Sequence, residues 1–242
     1  MIELNDKILP KDMPKLESPF VRQVIGKDYI VTSKIAEGYE WVFNDDTVLA
    51  IEKLHGTNVS IIIENGSITS IWNRTERLPF FNKEKRHIIE GILEANNRGY
   101  CDLPDGQWFG ELIGEKVNGN PYKIKGHVWI PFKTYAKEHL AYKSWGKYPK
   151  TFESISDWFK TLMPLYCLKI HGKEKAVASN SCAFDFVEGI VFTHPDGRMA
   201  KLRIDMFDWW KGVRHKDDSS LPPTPKGSGY PPYDFIKNKK VR

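Results

Sequence analysis

Cysteine is scarce in this chain and has no pairing pattern. Cys101, Cys167 and Cys182 are odd in number, far apart and without a Cys-x-x-Cys spacing, so nothing suggests a disulfide framework and all three read as free thiols. The histidines show no metal-ligand spacing either, and no zinc site is expected. Long apolar runs are also missing: none approaches the roughly 20 residues that a membrane-spanning helix needs. The N-terminus, Met1-Ile2-Glu3-Leu4-Asn5-Asp6-Lys7, lacks the apolar core of a signal peptide. The expectation is a cytoplasmic chain with no membrane partner. No internal repeat is visible.

What remains is an ordinary globular composition, 40% hydrophobic and 28% charged over 242 residues, enough for one substantial core. The net charge of +5 is unevenly placed. All of it sits in residues 211–242, where Lys211, Arg214, Lys216, Lys226, Lys237, Lys239, Lys240 and Arg242 face only Asp217, Asp218 and Asp234. That tail is rich in proline and glycine. Its composition suits either a solvated extension or attraction to a phosphate backbone. The division expected is a main domain over 1–210, including an N-terminal lead-in, and a basic tail over 211–242.

Hydrophobic periodicity outlines the main domain. Thr47–Ile51 and Val59–Ile63 are β-branched, apolar runs that read as buried strands. Asn65-Gly66 marks a hairpin, with Ser67–Trp72 returning. Ile88, Ile89, Ile92 and Leu93 give residues 83–97 one apolar side, predicting a helix. Gln107–Ile113 reads as a strand interrupted at Gly110, and His127–Phe132 as another. A second helix is expected over 151–163, with Phe152, Ile155, Trp158, Phe159, Leu162 and Met163 as a core stripe. The last hairpin turns at Asp196-Gly197, between Glu188–Phe192 and Met199–Ile204, and alternation puts Lys201 and Arg203 on one face. In the lead-in, Tyr29–Val31 and Tyr39–Phe43 read as short strands. Strands outnumber helices and join through hairpins, so the fold class is α+β, not a doubly wound sheet.

Lys53-Leu54-His55-Gly56-Thr57-Asn58 is the candidate for chemistry. It places a lone lysine and a tight polar turn between two rigid strands, which a merely solvating lysine does not require. In order along the chain follow Arg74-Thr75, Phe109-Gly110-Glu111-Leu112, Glu188-Gly189-Ile190-Val191 and Lys201-Leu202-Arg203. This ordered set resembles the covalent nucleotidyltransferase superfamily of polynucleotide ligases and capping enzymes, and most closely ATP-dependent RNA ligases of the RNA ligase 2 type. The resemblance covers roughly residues 48 to 207. It implies the nucleotidyltransferase fold, with antiparallel sheets around a nucleotide.

The resemblance also implies roles. Lys53 is the nucleophile that takes AMP from ATP and expels pyrophosphate. A lysine of ordinary basicity is protonated at pH 7, and freeing its lone pair costs about 4.6 kcal/mol, so nearby cations or a metal would have to favour the amine. His55, Gly56, Thr57 and Asn58 shape the nucleotide loop. Arg74 contacts phosphate or ribose, and Glu111 accepts from ribose hydroxyls. Phe132 or Trp129 stacks on adenine. Glu188 is the carboxylate for Mg²⁺, with Mn²⁺ as a substitute. Lys201 binds the α-phosphate, aided by Arg203. The expected partners are RNA ends bearing a 5′-phosphate and a 3′-hydroxyl.

Two features depart from the family pattern. Many relatives carry Lys-x-Lys where this chain has Lys201-Leu202-Arg203, which keeps the charge and changes its geometry. After residue 207 only Trp209-Trp210 and the tail remain, so no appended domain is expected. The alternatives are an ATP-dependent DNA ligase and a non-catalytic nucleic-acid-binding module of the same fold.

Overall fold

The computed structural model of the chain describes residues 9–81, 83–172 and 187–210. The basic tail over 211–242 and Cys182 lie outside the described residues. Contacts group the chain into two compact units, one of Met1–Lys15 with Leu54–His139 and one of Leu16–Lys53 with Leu140–Arg242. The division falls at the Lys53–Leu54 peptide bond. No helix among the described residues is long and apolar enough to cross a membrane.

In chain order the elements are β1 (Phe20–Ile25), β2 (Asp28–Ile35), α1 (Trp41–Asn44), β3 (Leu49–Glu52), β4 (Thr57–Glu64), β5 (Ser67–Asn73), β6 (Glu76–Leu78) and α2 (Arg86–Asn97). There follow β7 (Gly106–Gly114), β8 (His127–Pro131), a π-helical turn (Phe132–Ala136), α3 (Lys137–His139), α4 (Phe152–Thr161), α5 (Leu165–His171), β9 (Gly189–Thr193) and β10 (Met199–Arg203). All strand pairs among the described residues are antiparallel. The class is α+β, as the strand and hairpin signals indicate.

The first unit is built on a five-stranded sheet ordered β6-β5-β4-β7-β8. Its β4–β5 turn has Asn65 at φ 52° and Gly66 at φ 69°, the left-handed pair that an Asn-Gly hairpin supplies. Helix α2 packs on β8 and β7 through Ile88, Gly91, Ile92 and Ala95. Leu93, expected on the apolar side, is instead 58% exposed. The spacing of the buried four is the i, i+3, i+4, i+7 of a single stripe, and Leu93 falls outside it. Gly110 does not interrupt β7. It pairs with Val59 on one side and Pro131 on the other, and a Cβ there would stand 2.5 Å from the Trp129 indole. The glycine makes room for a core ring.

The second unit holds the three-stranded sheet β10-β9-β3 and the separate β1-β2 pair. Residues 140–142 flank β3 on its other side: the Glu52 N–H donates to Leu140 O and the Tyr142 N–H to Ala50 O, each at 2.8 Å. Helix α4 is capped by the Thr151 hydroxyl, which accepts from Ser154 N–H, and buries Ile155, Trp158 and Phe159. Tyr39–Phe43, read as a strand, instead contributes to the short helix α1. One helical turn is enough to bury both Val42 and Phe43, with the Phe43 ring 4.9 Å from that of Phe20. Cys101 is a buried free thiol. Cys167, read as free, is instead disulfide-bonded, which cysteine spacing does not reveal.

Candidate active site

The second unit sorts the cationic candidates by strand alternation. Ala50, Glu52, Ile190, Phe192, Ala200 and Leu202 are buried, while the register Ile51–Val191–Lys201 defines the opposite face. Arg203, opposite Gly189, shares that face with Lys201. Lys53 extends β3 by one step, its N–H donating to Gly189 O at 2.8 Å. The sheet therefore presents Lys53, Lys201 and Arg203 together.

Lys53 is ion-paired. Its Nζ donates to Glu188 Oε1 at 2.7 Å, with the two side chains 26% and 23% exposed. Glu188 is anchored through its backbone, its carbonyl accepting from the Ile204 N–H at 3.0 Å. The Lys201 N–H donates to Glu17 O at 2.9 Å, tying the chain before β1 to β10. Arg203 donates through Nε to Asp205 Oδ1 at 2.9 Å and through Nη2 to Asp205 Oδ2. That bidentate hydrogen bonding holds the guanidinium still more firmly protonated. A sheet face with these cations suits a polyanionic ligand.

Glu52, which carried no signal in the sequence, is a buried acid of this unit. It lies on the face opposite Lys53 and accepts the Tyr166 N–H at 2.8 Å. Burial pushes its carboxyl up to about 8, against the weaker downward pull of the Tyr166 and Leu165 amides.

In the first unit the turn after Lys53 is held by side chains from β7 and the connection beyond it. The His55 N–H donates to the Tyr122 hydroxyl at 2.8 Å, the Gly56 N–H to Glu111 Oε1 at 3.0 Å, and Asn118 Nδ2 to Gly56 O at 2.8 Å. A Cβ at Gly56 would overlap the Leu112 carbonyl and stand 2.7 Å from Glu111 Cγ. Thr57 pairs with Leu112, and Asn58 with Glu111, in the β4–β7 ladder. Asn58 Nδ2 also meets Met13 Sδ at 3.2 Å. Tyr122 and Asn118 lie in a run legible only as a polar connection, and they could not be foreseen.

The two aromatic candidates separate. Glu111 stands opposite Ile130 in the β7–β8 ladder, so Trp129 belongs to the opposite sheet face. Trp129 is fully buried and its indole N–H donates to Val59 O at 3.0 Å. Phe132 is half-buried at the start of the π-helical turn. Arg74 is exposed at the β5–β6 turn with φ 54°.

Among the described residues, no group of three or more His, Cys, Asp or Glu converges to hold a metal ion. A Mg²⁺ bound mainly by phosphate oxygens and water needs only one or two carboxylates, and Glu188 fits that donor set.

The family model for RNA ligase matches residues 46–211. No curated protein sequence matches the chain. Solved structures of Naegleria gruberi RNA ligase are similar to it. An arginine-to-alanine mutant with ATP and Mn is 16% identical at TM-score 0.36, covering 81% of this chain and 61% of that one. A lysine-to-methionine mutant with AMP and Mn is 16% identical at 0.35, covering 80% and 61%. The same ligase with PPi is 16% identical at 0.35, covering 81% and 61%. The chain thus spans less than two thirds of the length of that ligase.

Proposed function

The chain belongs to the RNA ligase family, and from that premise we propose that it is an ATP-dependent RNA ligase that works through a lysyl-AMP at Lys53. The observation that carries the reading is the 2.7 Å pair of Lys53 Nζ with Glu188 Oε1, on a sheet face shared with Lys201 and Arg203.

In the first step the Lys53 amine attacks the α-phosphorus of ATP. The N–P bond forms, the P–O bond to the β-phosphate breaks, and pyrophosphate leaves with the electron pair. Glu188 Oε1 stands where it can accept the proton that the nitrogen sheds. Lys201 and Arg203 stabilise charge that grows on the phosphate oxygens in the transition state. Glu188 is also the carboxylate that would hold Mg²⁺ or Mn²⁺, which when bound neutralises triphosphate charge. In the second step an oxygen of an RNA 5′-phosphate attacks the same phosphorus, the N–P bond breaks and Lys53 regains its proton. In the third, a 3′-hydroxyl attacks the activated 5′-phosphate and AMP departs.

The remaining candidates position the nucleotide. The motif runs without a break from Lys53 into Leu54–Asn58, so His55, Gly56, Thr57 and Asn58 lie on one short stretch of chain with the nucleophile. Glu111, held by the Gly56 N–H, would accept from ribose hydroxyls. Arg74 would contact phosphate or ribose. Phe132, not the core ring Trp129, would stack on adenine.

The test is sealing of RNA strands with 5′-phosphate and 3′-hydroxyl ends in the presence of ATP and Mg²⁺, alongside matched DNA strands. Joined RNA with release of AMP and pyrophosphate supports the reading. Preferential joining of DNA moves the chain to the DNA ligase alternative.

A further inference from the structure

Among the described residues the β1–β2 hairpin pairs with no other strand. Its root is packed: Phe20 and Val31 are buried, and the Phe20 ring lies 4.9 Å from that of Phe43 and 5.2 Å from that of Phe152. Its tip is not. Val24 is 66% exposed, Ile25 58% and Tyr29 59%. The turn at Gly26 sets Val24 opposite Tyr29, and alternation adds Arg22 to the same face. The Arg22 guanidinium carbon lies 5.6 Å from the Tyr29 ring centre, and Arg22 Nη2 donates to Glu17 Oε2 at 2.6 Å.

An isolated two-stranded hairpin is marginal in water, and one that projects large apolar side chains calls for something to cover them. Charge selects the occupant. Between residues 20 and 35 the hairpin carries Arg22, Lys27 and Lys34 against Asp28 alone, with Lys27 in the exposed turn. An exposed aromatic ring beside an arginine, with Lys27 in the adjoining turn and Lys34 further along β2, is a combination on which bases stack while cations follow the phosphates. Its root also lies beside the candidate chemistry, because the chain entering β1 accepts the Lys201 N–H at Glu17 O.

We infer that the β1–β2 hairpin is an RNA-strand platform, with a base stacked at Tyr29 and Val24 and the phosphates held by Lys27 and Lys34. The inference deepens the proposed function and rests on it for the choice of RNA. The platform grips the strand by stacking and charge without reading its sequence. At about 3.3 Å per residue, the six residues of β1 reach roughly 20 Å, enough to contact several nucleotides beyond a bound end.

The test uses the full chain and a single-stranded, 5′-phosphorylated RNA, with affinity read by fluorescence anisotropy across a salt series. Thermal unfolding and AMP uptake from ATP are read on the same preparations. Tyr29→Ala should unfold and take up AMP as the wild type does, yet bind RNA about tenfold more weakly. Tyr29→Phe, which keeps the ring, should bind normally. The Lys27→Ala, Lys34→Ala pair should flatten the dependence of log affinity on log salt by about 0.7 for each phosphate it no longer neutralises. Wild-type RNA affinity in Tyr29→Ala together with an unchanged salt slope in the lysine pair would overturn the inference, including the case where the hairpin instead docks a protein. A wild-type chain that binds RNA through Tyr29 but never takes up AMP would leave the platform standing and sink the ligase reading.

Discussion

Glu52 and Lys53 are adjacent in the chain and face opposite sides of the β10-β9-β3 sheet. Lys53 meets Glu188 on the partly exposed side, while Glu52 is buried against the first amides of α5. The strand that presents the candidate nucleophile is thus fastened from behind by an acid that has lost its water.

That burial predicts a pH dependence. The Glu52 carboxyl rises from 4.5 to about 8 on folding, so between those values the folded chain keeps a proton that the unfolded chain releases. Folding takes up a proton, and this contribution to stability, whole below the unfolded value, is lost as pH rises toward 8, at about 1.4 kcal/mol per pH unit. Glu52→Gln removes the ionisation and can still accept an amide N–H. Denaturant unfolding of both proteins from pH 5 to 8 should show the variant gaining steadily on the wild type. Parallel curves would mean that Glu52 titrates as an ordinary carboxylate.

Glu188→Gln keeps the size of the side chain and removes its charge. AMP attachment should slow by about 100-fold, in the range for a lost acid–base or charge-stabilising group. Melting should change little, since a quarter-exposed ion pair contributes little. Single-turnover AMP uptake checks the first expectation and calorimetry the second. Uptake at the wild-type rate would remove Glu188 from the chemistry.

Gly56→Ala should damage both fold and site, because the new methyl overlaps the Leu112 carbonyl and crowds Glu111. A cost of about 1–3 kcal/mol is expected for such overpacking, visible in urea titration, together with a raised KM for ATP. Unchanged stability would show that the turn has room to move.

The two aromatics should respond differently. Trp129→Phe removes the indole donor to the Val59 carbonyl and should cost about 1–3 kcal/mol of stability, leaving KM for ATP nearly unchanged. Phe132→Ala should raise that KM with a smaller loss of stability. The opposite pattern in steady-state kinetics would return the stacking role to Trp129.

Much of this was legible in sequence, for physical reasons that can be named. Strand alternation placed Lys201 and Arg203 on one face, Asn65-Gly66 fixed a hairpin, and the ordered motifs singled out Lys53 and Glu188, which the fold pairs at 2.7 Å. What stayed hidden depends on contacts between distant segments. Gly110 looked like a strand break because the Trp129 ring beside it is invisible in one dimension. Tyr122 and Asn118 reach the His55–Gly56 turn from a stretch of polar residues with no periodicity to betray them. Arg203 was read as an aid to Lys201 at the phosphate, and its pairing with Asp205 emerged only from the geometry just after β10. Leu93 and the Tyr39–Phe43 segment were misjudged because apolar character alone does not say which side of a helix, or which kind of element, will carry it.

The central claim is covalent chemistry at Lys53. Intact-protein mass after incubation with ATP and Mg²⁺, on de-adenylylated wild type and Lys53→Ala, tests it most directly. The account predicts an AMP-sized gain in the wild type, reversed by pyrophosphate and absent from the folded variant. An equal gain in Lys53→Ala, or none in a folded wild type, would contradict it.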